Sequence, residues 1–179
     1  MSFLGDVRKD LSAHKSKYRQ DNDYMPFSGS IFLALINPCF ALVFTYRVYS
    51  RLFRSKNKAL KILGTFMYYR ACRKYSCDIH PRCRIDVPMK VGHCSDIVIG
   101  PLASIGKNAY FFNGVSIGNK HVGDADDMPA LGDNVIMGTG SKILGPTKVG
   151  SNVKIGALTL VSSDVPDGSK VVGIPGRLI

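Results

Sequence analysis

The 179-residue sequence contains no glutamate and no tryptophan; its thirteen acidic residues are all aspartates, so any carboxylate chemistry must come from Asp. The five cysteines (Cys39, Cys72, Cys77, Cys83, Cys94) form no C-x-x-C pair and are odd in number. That argues against a disulfide framework and for a reducing, cytoplasmic compartment. Nothing at the N-terminus reads as a secretory leader. The one long apolar run, residues 31–46, is broken by Asn37-Pro38. It falls short of the roughly 20 residues a spanning helix needs. Cys77, His80 and Cys83 sit three apart, yet no fourth ligand accompanies them, so free thiols and no metal are expected. No nucleic-acid reader motif accompanies the positive charge, which excludes the commonest basic-protein function.

What is present is apolar, glycine-rich and basic. Apolar residues make up 45% of the chain, which also carries eighteen glycines and a formal net charge of +11. This describes a folded protein with many tight turns and an attraction to anions. The chain divides near residue 76. In residues 1–76 a polar segment predicts a short helix over 5–20. After it, from Tyr24 to Cys77, no acidic residue occurs while Arg47, Arg51, Arg54, Lys56, Lys58, Lys61, Arg70, Arg73 and Lys74 interleave with apolar residues. Such a segment suits either a helix on the anionic inner face of the membrane or a helical unit packed on the protein itself.

Residues 77–179 follow a six-residue beat. Ile79, Ile85 and Val91 are six apart, then Ile99, Ile105, Phe111 and Ile117, then Leu131, Met137, Ile143, Val149, Ile155 and Val161. A period of six fits neither an amphipathic helix nor a hairpin sheet. It predicts an all-β main domain, a parallel β-helix of about five three-sided coils, each apolar residue stacking on its equivalent one coil away. Eight extra residues within 119–130 must leave the prism as one extruded loop, a place where sites are commonly built.

The motifs D-I-H-P at 78–81, G-H-C-S-D-I-V-I-G at 92–100, G-V-S-I-G at 114–118, G-S-K-I-L-G at 140–145 and G-I-P-G-R at 173–177 together resemble the hexapeptide-repeat acyltransferases, in their serine O-acetyltransferase-like branch. The resemblance implies a left-handed coil, a homotrimer with sites between subunits, and acetyl-CoA as co-substrate. It also implies that His93 is the general base removing the proton of an attacking hydroxyl, with Asp78 orienting its ring. A backbone donor for the oxyanion comes from the Ile117-Gly118 turn. By the same resemblance, Gly118, Gly138 and Ala157 leave room for the pantetheine arm, Lys142, Lys170 and Arg177 meet the nucleotide phosphates, and Asn113 and His121 approach the acceptor. His80 reads as structural and His14, outside the repeats, as solvated.

Two departures bear on the acceptor. The serine enzymes carry an aspartate directly before the catalytic histidine, where this chain has Gly92. They carry a histidine before proline in the extruded loop, where this chain has Met128-Pro129. With those charged handles missing, and with a Tyr46-Arg47 pair in a basic apolar N-terminal segment, the sequence resembles a sister group that acetylates bacterial surface polysaccharides. The expectation is therefore O-acetyl transfer to a sugar hydroxyl of such a glycan or its precursor, with serine acetylation in cysteine synthesis as the alternative. A non-enzymatic assembly module is the remaining reading, and it predicts no effect of removing His93.

Overall fold

The computed structural model describes residues 2–20, 36–121 and 127–173. Three helices come first: α1 (Phe3–Gln20), α2 (Pro38–Phe53) and α3 (Lys58–Tyr75). The Asn37-Pro38 break of the apolar run is the start of α2. The Asn37 side chain accepts from the N–H groups of Cys39 (2.9 Å) and Phe40 (3.1 Å), and Pro38 occupies the first turn, where its missing N–H costs nothing. Asn57 caps α3 in the same way, accepting from Ala59 N–H at 2.9 Å. Arg51 ends α2, and Arg73 and Lys74 end α3, where positive charge opposes the helix dipole. None of the described helices is long and apolar enough to cross a membrane.

Fourteen short strands follow, three to a coil, making between four and five coils. One sheet contains β1 (Asp78–Ile79), β4 (Val98–Ile99), β7 (Ser116–Gly118), β10 (Lys142–Leu144) and β13 (Leu160–Val161). The second contains β2 (Arg84–Ile85), β5 (Ser104–Ile105), β8 (Ala130–Leu131) and β11 (Lys148–Val149). The third contains β3 (Met89–Val91), β6 (Ala109–Phe111), β9 (Ile136–Met137), β12 (Lys154–Ile155) and β14 (Lys170–Val171). Every pairing is parallel, and the register stacks the six-residue beat on itself: Ile79 on Ile99 on Ile117 on Ile143 on Val161 in the first sheet. This is the left-handed parallel β-helix expected from the motifs. The inward residues Ile99, Ile117, Phe111, Met137 and Ile143 are fully buried.

Two features were not anticipated. A second inward row lies two residues before the first: Ile97, Ala103, Ala109, Val115, Val135, Ser141 and Val153 are also buried. At the corner between the second and third sheets, Asn108, Asn134 and Asn152 adopt left-handed backbone, which Asn tolerates better than other non-glycine residues. Their side-chain amides form a ladder, with bonds of 3.0 Å from Asn108 to Asn134 and 3.0 Å from Asn134 to Asn152.

The helices close the open end of the prism. A β-helix begins with a coil whose outer backbone groups have no partner strand, and such an edge must be covered. Tyr49 Oη donates to the Ile79 carbonyl at 2.5 Å, Ser50 Oγ to Pro81 at 3.0 Å and Tyr46 Oη to Cys83 at 3.0 Å. Arg54 donates to Cys83 and Arg47 to Ile85. On the third side the exposed groups are N–H donors, and α1 supplies acceptors: Asp10 for Met89 N–H at 2.8 Å and His14 Nε2 for Val91 N–H at 3.3 Å. Arg47 Nε binds Asp10 at 2.8 Å, tying the caps together. His14, expected in solvent, is buried for this reason. One hydrophobic cluster runs unbroken from α2 and α3 into the coils.

Candidate active site

His93 follows β3 on the corner between the third and first sheets and is exposed. Down the same corner, coil by coil, lie Asn113, Thr139 and Ala157. Backbone bonds join the column: Gly140 N–H to Asn113 C=O at 2.8 Å and Leu158 N–H to Thr139 C=O at 2.8 Å. Thr139 Oγ1 also donates to Asn113 Oδ1 at 3.2 Å. His93, Asn113 and the two small residues Gly138 and Ala157 therefore share one edge of the prism.

Asp78 stands on the outer face of β1, beside that edge. Asp96 N–H donates to Ser76 C=O at 2.9 Å, which binds the segment carrying His93 to the start of β1. The Asp78 carboxylate accepts from Tyr68 Oη of α3 at 2.5 Å. That bond, together with desolvation, holds the Tyr68 phenol well above its usual range, desolvation being the larger cause. Among the hydrogen bonds of the described residues, Tyr68 rather than His93 is the side-chain partner of Asp78.

An aromatic wall, unforeseen in the sequence, stands beside His93. Phe112 lies 6.1 Å from the His93 ring and 4.8 Å from the Tyr110 ring, centroid to centroid. These two outward positions on β6 and just after it carry no periodic signal, because an aromatic on the solvent side of a strand does not differ from chance. They also explain Gly92. A Cβ there would sit 3.2 Å from Tyr110 Oη and 3.3 Å from Phe112 Cδ1, so the aromatics fill the space next to His93.

The remaining candidates divide among edges and faces. A Cβ at Gly118 would meet nothing within 4 Å, so open space adjoins it and the coil itself does not demand glycine. At Gly138 the Cβ would come within 2.7 Å of Ala157 N, so stacking of successive coils accounts for that glycine. Lys142 lies on the first sheet, its Nζ 3.2 Å from Ser116 Oγ, whereas Lys170 lies on the third sheet beside Lys154. A single protomer thus does not bring the two lysines to one face. Arg177 lies outside the described residues. His121 is at the start of the extruded loop, on the corner between the first and second sheets, with its carbonyl accepting from Asn119 Nδ2 at 2.6 Å. Met128 returns over Gly100, where an added Cβ would meet its sulfur at 2.7 Å.

The Cys77, His80 and Cys83 trio is distributed rather than convergent. Cys77 Sγ bonds Tyr75 C=O, Cys83 Sγ bonds Tyr46 Oη, and His80 Nδ1 accepts from Arg82 N–H at 3.1 Å. Burial pushes both thiols up to about 11. Among the described residues no group of three or more His, Cys or Asp side chains is placed to hold a metal.

The fold has counterparts among known proteins. The chain is 38% identical over 102 residues to a serine acetyltransferase of Mycobacterium tuberculosis, covering 57% of this chain and 44% of that protein. The crystal structure of Neisseria gonorrhoeae serine acetyltransferase in complex with serine superposes with a TM-score of 0.79 at 32% identity, over 98% of this chain and 68% of that one. Entamoeba histolytica serine acetyltransferase 1 in complex with L-cysteine gives 0.77 at 28% identity, over 96% and 63%. No family model matches the chain. The chain belongs to the hexapeptide-repeat acetyltransferases, in their serine acetyltransferase-like branch. It spans less than half the length of the curated relatives it matches.

These relatives overturn the polysaccharide expectation. That expectation leaned on Gly92 and Met128 in place of charged handles and on the basic apolar N-terminal segment with its Tyr46-Arg47 pair, and the structure gives the segment and the pair a different purpose. Tyr46, Arg47 and Arg54 neutralise the bare carbonyls of the first coil, a need of the fold that says nothing about a glycan.

Proposed function

We propose that this protein transfers the acetyl group of acetyl-CoA to the hydroxyl of serine, with His93 as general base. The observation that carries this reading is the match of 102 residues of the chain to serine acetyltransferases, together with the superposition on one solved with serine bound. The exposed His93 imidazole takes the hydroxyl proton as the oxygen attacks the thioester carbon. The C–S bond then breaks, and the proton passes to the departing CoA thiolate. Asp78, whose carboxylate accepts from Tyr68 Oη within the protomer, is the candidate orienting carboxylate. Gly118, with open space beside it, admits the pantetheine arm, and Lys142, Lys170 and Arg177 are the candidate phosphate contacts.

The acting unit in this reading is a homotrimer. His93 and His121 lie on opposite edges of the first sheet, so both can serve one acceptor across an interface between protomers. The outer face of that sheet also carries Val98 (41% exposed) and Leu160 (61% exposed), apolar surface that a neighbouring prism covers. The Tyr110–Phe112 wall fills the space beside Gly92 and Met128 packs over Gly100; with neither charged handle present, serine binds less tightly here than in an enzyme with both.

The test follows CoA release from acetyl-CoA with L-serine for the wild type and His93→Ala. The expected loss in kcat is about 10²- to 10⁴-fold, the usual contribution of a positioned base. Turnover that His93→Ala leaves unchanged, or a wild type inert toward serine, sinks the proposal.

A further inference from the structure

Helix α3 turns a second apolar face to solvent. It meets the rest of the protein along Gly64, Ala71 and Tyr75, which are buried. At Gly64 an added Cβ would come within 2.6 Å of Phe53 N, so this line is where α3 touches α2. Residues two positions away from it lie across the helix, since each step turns the chain by about 100°. Those positions are Ile62, Phe66, Tyr69 and Arg73. A helix on a protein surface ordinarily presents polar residues there. Here Ile62 is 70%, Phe66 57% and Tyr69 59% exposed, with Leu63 at 46% beside them. Ile62, Phe66 and Tyr69 are spaced four and three apart, so they are neighbours along one stripe. An exposed apolar stripe rimmed by charge marks an interaction site.

The charge around the stripe is of one sign. Lys58, Lys61, Arg70, Arg73 and Lys74 are exposed on α3, and the helix contains no acidic residue. Arg73 continues the stripe itself. The Arg70 guanidinium carbon stands 6.0 Å from the Phe66 ring centroid, so cation and apolar surface belong to one face. That combination selects the occupant. The same face of a second copy would set cation against cation. A purely apolar partner would strip water from the cations without replacing it. An anionic lipid surface meets both demands: the acyl boundary takes the apolar side chains, and the headgroup phosphates take the guanidinium and ammonium groups. With 18 residues, α3 is not apolar enough to cross a bilayer, so it lies along the surface.

We propose that the outer face of α3 docks this protein on an anionic lipid bilayer, with Ile62, Phe66 and Tyr69 entering the interface and Arg70 and Arg73 meeting lipid phosphates. The docking face does not depend on the function proposed above.

Flotation of the full chain with lipid vesicles tests this. Vesicles of equal parts phosphatidylglycerol and phosphatidylcholine should carry the protein upward at low salt. Phosphatidylcholine alone should bind it at least ~10-fold more weakly, and added salt should weaken the anionic binding. Ile62→Ala with Phe66→Ala keeps the helix, alanine being the best helix former. It should weaken binding by at least ~10-fold, the loss of two apolar side chains from the interface. Arg70→Gln with Arg73→Gln should weaken it by ~10-fold or more. Lys148→Gln with Lys154→Gln removes the same charge from exposed positions of the prism and should leave binding near that of the wild type. Sedimentation equilibrium without lipid should give the wild type and the Ile62, Phe66 variant the same oligomeric state. Absence of binding to the anionic vesicles, or equal binding to both kinds, overturns the proposal. So does an α3 pair that changes nothing, or a prism pair that weakens binding as much as the arginine pair. An oligomeric state altered by the apolar pair also overturns it, and assigns the face to a second copy.

Discussion

Replacing Tyr49 by phenylalanine removes one oxygen and nothing else from the interior. That oxygen donates to the Ile79 carbonyl at 2.5 Å, and Tyr49 and Ile79 are each 1% exposed. No water can take its place without a cavity, since the phenyl ring remains where the tyrosine ring was. The first-coil carbonyl is then buried without a donor, a change that costs about 1–3 kcal/mol. For a chain of this size each kcal/mol lowers Tm by roughly 2–4 °C. The assay is urea unfolding followed by circular dichroism at one fixed protomer concentration, because assembly makes apparent stability concentration-dependent. An unchanged slope with a lower midpoint identifies a loss of stability rather than of compactness. Tyr69→Phe, at an exposed position of α3, is the control and should move nothing. If Tyr49→Phe unfolds within about 0.3 kcal/mol of the wild type, inside the scatter expected of neutral surface changes, the hydroxyl is not capping the coil and the account of the N-terminal helices fails.

Two further outcomes follow from the same cap. Arg47→Ala leaves the buried Asp10 carboxylate without its cation, and breaking such a pair costs about 3 kcal/mol, the low end of the usual range because Met89 N–H still serves Asp10. Asp10→Asn introduced on top should recover part of that loss in the same urea assay. His80 titrates below its ordinary range, chiefly because burial disfavours the imidazolium, although Asp78 opposes this. The unfolded chain therefore binds more protons, and stability falls as pH drops through the usual imidazole range. Protonation also removes the Nδ1 lone pair that Arg82 N–H uses. His80→Gln should flatten this acid limb of the stability-against-pH curve, and a slope equal to that of the wild type contradicts the assignment.

The prism was legible in the residues because the cause is local and repeats. Each apolar residue of the beat, from Ile79 to Val161, meets its own equivalent one coil away, so the period of the sequence is the period of the packing. The second buried row was hidden because Ala103, Ala109 and Ser141 are small or polar, and a narrow interior accepts them by size rather than hydrophobicity. Asn37-Pro38 could be seen as a break but not as a cap, since its partners are the N–H groups of a helix not yet known to begin there. His93 was legible through its motif. The Tyr110–Phe112 wall beside it was not, because outward aromatics acquire meaning only once a neighbouring coil sets His93 against them.

The N-terminal half marks the limit most clearly. Its excess of arginine, lysine and tyrosine reads equally well as an anion-seeking surface or as hydrogen-bond donors for an unfinished sheet edge. Composition cannot separate the two, because the chemistry of the side chains is the same in both. The sequence by itself determined a six-residue, three-sided coil and singled out a histidine, His93, that lies at one of its corners. Only the tertiary structure decided that Tyr46, Tyr49, Ser50, Arg47 and Arg54 face the first coil's bare carbonyls. Those facts depend on where α2 comes to rest on the prism, a contact between residues some thirty positions apart that no local pattern encodes.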